Sequence, residues 1–113
     1  MKIDINKVKI FVTIPPENLE EVRNAIFDAG AGIIGNYSHC STATISTGTF
    51  KPNEKANPHI GSANNLEFVE EYKLEVICNI ENVNRVLKSI RKSHPYEEPA
   101  IDIIPLIDES LFN

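Results

Sequence analysis

Val8-Lys9-Ile10-Phe11-Val12-Thr13-Ile14-Pro15-Pro16-Glu17-Asn18-Leu19-Glu20-Glu21-Val22-Arg23-Asn24-Ala25-Ile26-Phe27-Asp28-Ala29-Gly30 changes its apolar period at the proline pair. Before the prolines Val8, Ile10, Val12 and Ile14 alternate with Lys9, Phe11 and Thr13, the period of a strand with one buried face. After them Leu19, Val22, Ala25, Ile26 and Ala29 recur at three and four while Glu20, Glu21 and Arg23 face water, which predicts a helix over 17–29. Gly30 and Gly32 end it.

The second half repeats the pattern. Phe68, Tyr72, Leu74, Val76 and Cys78 fall on one side of a strand over 66–78, with Glu71, Lys73 and Glu75 on the other. Asn79 is placed to cap a helix over 81–93 whose stripe is Val83, Val86, Leu87 and Ile90. A last strand covers 98–106. Between the halves, residues 40–50 are rich in β-branched threonine and read as a strand with a lightly buried face, its interior Gly48 suggesting a bulge. Residues 51–65 hold Pro52, Pro58, Gly61 and four asparagines, a long connection of the kind that is usually functional or mobile.

The order strand-helix-strand-strand-helix-strand predicts an α+β, ferredoxin-like βαββαβ sandwich, with both helices on one face of an antiparallel sheet. At 113 residues this is one domain, 1–113, with an excursion at about 50–65 between its second and third strands. The uncovered face carries Phe11 and Ile77, with either Ile101 and Ile103 or Ile104 and Leu106. An open apolar face of this kind predicts self-association.

Charge and cysteine content narrow the function classes. A net charge of -5 argues against a general nucleic-acid binder, which needs a basic stripe. No run approaches a membrane span, and Met1 to Lys9 has no signal-peptide core. Cys40 and Cys78 lack metal-motif or disulfide-scaffold spacing, so reduced thiols and a cytoplasmic location are expected.

Chemistry concentrates in His94-Pro95-Tyr96-Glu97-Glu98-Pro99, an imidazole, a phenol and two carboxylates between prolines. His94 with Glu97 offers donors that zinc or copper accepts; alternatively the ring caps the preceding helix against its negative dipole end. His39 is a further candidate metal ligand, but a strand of about eight residues spans ~26 Å, so it meets His94 only across a subunit boundary. Cys40, beside it, points to the opposite face and reads as a small buried hydrophobe, as does Cys78. Ala29 to Tyr37 contains glycines that could form an anion nest, although the run follows a helix C-terminus and is not a dinucleotide fingerprint. Asn36 and Tyr37 lock its turn or contact a ligand. Lys51, Lys55 and His59 give the long connection modest positive character, suited to a ligand or an acidic protein partner. No catalytic set is evident, because Glu97 and Glu98 are sequential and point apart.

Six strings carry a resemblance. Ala29-Gly30-Ala31-Gly32, Gly35-Asn36-Tyr37, His39-Cys40-Ser41, Gly48-Thr49-Phe50-Lys51-Pro52, Ala56-Asn57-Pro58-His59-Ile60-Gly61 and His94 to Pro99 resemble, in order, the domain inserted in the Nif-three-like dinuclear-metal hexameric proteins, of which free-standing versions occur. The match covers about 8–107, and the His-Pro-Tyr-Glu stretch also resembles the CutA cation-tolerance proteins. The resemblance implies a PII/CutA-like fold, a homotrimer or else a dimer with sheets on the symmetry axis, and a partner-contacting excursion at 50–65. It does not imply the dinuclear metal site, which belongs to the flanking domains of the relatives. The expected function is a non-enzymatic binding or regulatory module, with Asn36, Tyr37, Lys51, His59, Tyr96 and Glu97 as ligand contacts. The alternative is a CutA-like divalent-metal binder using His94, Glu97 and His39; an enzyme with an inter-subunit site ranks third.

Overall fold

The computed structural model describes residues 2–112. β1 (Lys7–Ile14), α1 (Leu19–Asp28), β2 (Thr42–Phe50), β3 (Glu67–Asn79), α2 (Val83–Ser93) and β4 (Ile101–Leu106) follow in chain order. The strands form one sheet in the order β2-β3-β1-β4, and each neighbouring pair is antiparallel. This is the expected ferredoxin-like topology.

The alternation in β1 decides what is buried. Val8, Ile10, Val12 and Ile14 lie under the helices with Leu74, Val76 and Cys78 of the adjacent β3. Val22 and Ile26 from α1 and Val86 and Ile90 from α2 close the core from above. Burying a branched side chain of this kind contributes about 1.5–3 kcal/mol, so this two-layer contact carries the fold. The proline pair works as expected: Pro15 is extended and Pro16 opens a 3₁₀ turn, Pro16–Asn18, that feeds α1.

Several details differ from the sequence reading. β4 starts at Ile101, not 98, because the proline-flanked residues before it form a separate turn. Asn79 makes no side-chain cap; it precedes a 3₁₀ turn, Ile80–Asn82, that leads into α2. The register through Gly48 is unbroken, Gly48 pairing with Val69, so there is no bulge at that glycine. On the open face β4 contributes Ile104 and Leu106, paired with Lys9 and Lys7, whereas Ile101 packs against the core.

Candidate functional site

α2 ends where His94 turns extended, with φ -79° and ψ 137°, as a residue before proline is steered to do. The ring does not cap the helix carbonyls. Its Nε2 donates to the Thr13 carbonyl at 2.8 Å, and its Nδ1 accepts the Tyr96 backbone N–H at 3.1 Å. This pair of bonds needs the neutral ring with its proton on Nε2. His94 is 7% exposed, and burial pushes its pKa down while the Thr13 carbonyl pulls it back up. His94 therefore nails the end of α2 to the end of β1 and aims the next residues past the strand.

Tyr96 is delivered by that turn to Glu71 of β3, where its hydroxyl donates to Oε2 at 3.0 Å. Glu71 shares the open face with Lys73 and Glu75, as expected, yet it is only 6% exposed. Gly48 explains the burial: a Cβ there would collide with Glu71 Oε1, so the missing side chain is the space the carboxylate occupies. Burial and the bond to Glu71 raise the Tyr96 pKa far above the ordinary phenol value, keeping the hydroxyl a donor.

The β2–β3 connection folds back over the same turn. The Asn57 N–H donates to Glu97 Oε1 at 2.9 Å, and the Asn64 N–H reaches back to the carbonyl of the buried Pro52 at 2.7 Å. Phe50 and His59 set their rings 6.5 and 6.1 Å from the Tyr96 ring, tilted. Between these segments lies a cleft of about 270 Å³, lined by Thr13, Phe50, Lys51, Pro52, His59, Ile60, Glu71, Tyr96, Glu97 and Glu98, among others.

Of the residues singled out from sequence, Lys51, His59, Tyr96 and Glu97 thus share one cleft, and His94 buttresses it. Asn36 and Tyr37 do not join them within a chain. They lie in a small hairpin closed by paired backbone bonds between Ile34 and Tyr37, beside the amino-terminal end of β1, and Tyr37 is 76% exposed. His39 stacks on Phe27 at 4.9 Å and bonds Ser38 Oγ, away from the His94 end. Two of the three glycine amides of that run are spent internally, Gly30 N–H on the Phe27 carbonyl and Gly32 N–H on the Ile77 carbonyl, and are not free for an anion. Cys78 is buried, as expected of a small hydrophobe, and Cys40 is half-buried. Among the described residues no three His, Cys, Asp or Glu side chains are grouped to hold a metal ion.

Glu71, Thr13, Phe50 and Gly48 belong to this site and escaped sequence reasoning. Gly48 gave a weak signal by interrupting a threonine-rich strand, whereas Glu71 alternates with Lys73 and Glu75 like any acid on the polar side of a strand. Only the strand register makes the two neighbours.

No family model matches the chain. It is 50% identical over 101 residues to a GTP cyclohydrolase 1 type 2 homolog of Halalkalibacterium halodurans, covering 89% of this chain and 27% of that protein. The structure of a Bacillus cereus protein related to NIF3 superposes with a TM-score of 0.80 at 42% identity, over 92% of this chain and 26% of the other. The chain thus spans about a quarter of the length of the relatives it matches. The periplasmic divalent cation tolerance protein CutA from Archaeoglobus fulgidus shares the fold, with a TM-score of 0.65 at 19% identity over 88% of this chain and 83% of that one.

Proposed function

We propose that this chain, homologous to one segment of the NIF3-related GTP cyclohydrolase 1 type 2 homologs, is a non-enzymatic binding or regulatory module that holds a small ligand in the Tyr96 cleft and works as a homo-oligomer, most naturally a trimer. One observation carries the reading: a buried carboxylate, Glu71, is held by Tyr96 at the base of a cleft that two distant segments close together. Such a set of convergent polar groups in an apolar cleft is the common form of a ligand site. Lys51, His59, Tyr96 and Glu97 are its contacts, and Asn36 and Tyr37 enter it only if a second copy presents them. The rim of the connection around Lys51 and Lys55 is the surface for a protein partner. Two free thiols suit a reducing compartment, the cytoplasm. Among the described residues no helix is long and apolar enough to cross a membrane.

A thermal-shift screen of nucleotides, organic anions, amines and divalent cations tests the reading. A ligand of the cleft raises the melting temperature of the wild type and loses that effect in Phe50→Ala. Absence of any such compound across the classes sinks it.

A divalent cation, zinc or copper, is the second reading, favoured by the cation-tolerance protein among the fold neighbours. Both His94 nitrogens are engaged within the chain, so His94 ligates such an ion only by giving up its bond to the Thr13 carbonyl or to the Tyr96 N–H, with Glu97 and a His39 from another copy completing the set. Zinc then stabilises the wild type and not His94→Ala; equal shifts reject the site. An enzyme with an inter-subunit site stays third.

A further inference from the structure

We propose that the Tyr96 cleft selects an organic cation, an ammonium or guanidinium group on a short apolar stem; the proposal rests on the reading of this cleft as a ligand site. Three observations converge. First, Glu71 is 6% exposed, its Oε2 takes the Tyr96 hydroxyl, and among the described residues no lysine or arginine pairs with it. A carboxylate has room for about four hydrogen bonds, so this one retains acceptor capacity on the edge that lines the cleft. A carboxylate withdrawn from water is stabilised best by a cation or a charged N–H donor.

Second, the walls beside it are aromatic. Phe50 and His59 stand 6.5 and 6.1 Å from the Tyr96 ring, and ring faces attract a cation held within about 6 Å. Third, the lining carries Glu71, Glu97 and Glu98 against a single lysine, Lys51. An anion entering here meets three carboxylates, and a neutral apolar ligand leaves Glu71 unmet. A cation satisfies the acid and the rings together, while its stem fits against Pro52 and Ile60.

Four probes of matched size separate the possibilities: butylamine, butylguanidine, butanol and butyrate, titrated into the full chain at fixed ionic strength. Binding is read from the amide resonances of residues 48–60, 71 and 94–100 by nuclear magnetic resonance. The amine and the guanidine shift these resonances saturably, and butanol and butyrate do not. Glu71→Gln keeps an acceptor for the Tyr96 hydroxyl but removes the charge, and weakens the cations by at least about tenfold. Phe50→Leu, which leaves every charge in place, weakens them severalfold and serves if Glu71→Gln fails to fold. Stronger binding of butyrate, equal binding of butanol and butylamine, or unchanged affinity in whichever variant folds overturns the proposal. An anion or nucleotide seated in the cleft overturns it too, while leaving the binding-module reading intact. Silence from all four probes overturns the cation, and the wider screen then decides whether the cleft binds anything.

Discussion

The Tyr96 hydroxyl and the Glu71 carboxylate lie 3.0 Å apart across 25 residues of sequence, and each is what the other requires. Glu71 would otherwise be an unpartnered acid out of water, and Tyr96 a half-buried phenol with no acceptor. Tyr96→Phe keeps the ring and removes the donor. It should destabilise the protein by about 1–3 kcal/mol in urea unfolding, and the loss should shrink when Glu71 is replaced by leucine as well. Equal losses in both backgrounds would mean that the bond contributes nothing.

Gly48→Ala probes the same carboxylate from the other side. The added methyl group occupies the place of Glu71 Oε1, so the acid must swing away from Tyr96 or push the strands apart. A cost of about 1–3 kcal/mol is expected. In a Glu71→Ala background the same change should be neutral or stabilise by roughly 0.5–1 kcal/mol, because alanine suits a strand better than glycine. A cost that persists without Glu71 would place the conflict in the backbone.

His94 sets a pH dependence. Burial lowers its folded pKa below the unfolded value of 6.5, so the unfolded chain takes up a proton first as pH falls. Stability from this residue is therefore complete above about pH 6.5 and declines below it as the folded ring is forced to protonate and Nδ1 stops accepting from Tyr96. The groups acting on it are the Thr13 carbonyl and Glu71, which raise its pKa, and His59, which lowers it. Melting curves between pH 7.5 and 5, set points chosen to bracket roughly that value, should fall more steeply for the wild type than for His94→Asn. Parallel curves would assign the fall to other groups.

How far the chain disclosed this arrangement differs by level. The period change at Pro15 and Pro16 and its repetition around Cys78 and Asn79 determine layers and topology, because burial of one face is a property of spacing. The turn from His94 to Pro99 was visible as a concentration of chemistry between prolines. What His94 does with its ring was not, since Thr13 is 81 residues away and only the packed end of β1 brings its carbonyl into reach. Gly48 shows the same limit: an isolated glycine in a strand signals either a bulge or a close approach, and the cross-strand neighbour decides which.

The open sheet face makes the oligomer testable without touching the cleft. Phe11, Ile77, Ile104 and Leu106 share that face by register, and Lys73 lies 5.0 Å over the Phe11 ring. Sedimentation at micromolar concentration should give a trimer for the wild type. Ile104→Glu, on an exposed position of β4, should give a folded monomer with an unchanged far-ultraviolet spectrum. A wild-type monomer removes the oligomeric part of the proposed function.

The connection between β2 and β3 is coupled by its path to the turn after α2. The Asn57 N–H reaches Glu97 Oε1 across 40 residues, and His59 stacks toward the Tyr96 ring, so the two segments close the cleft as one unit. Glu97→Ala removes the acceptor and leaves the core residues in place, because Glu97 is exposed and is not a member of the core. Global stability should change by less than about 0.5 kcal/mol, as for surface positions generally. The Asn57 amide should exchange with solvent hydrogen about 2–10 times faster, the range set by the net worth of one such bond. Residues 94–99 should loosen with it if the closure is mutual, whereas unchanged exchange at Asn57 would mean that the loop holds its shape alone and the cleft has a wall independent of Glu97.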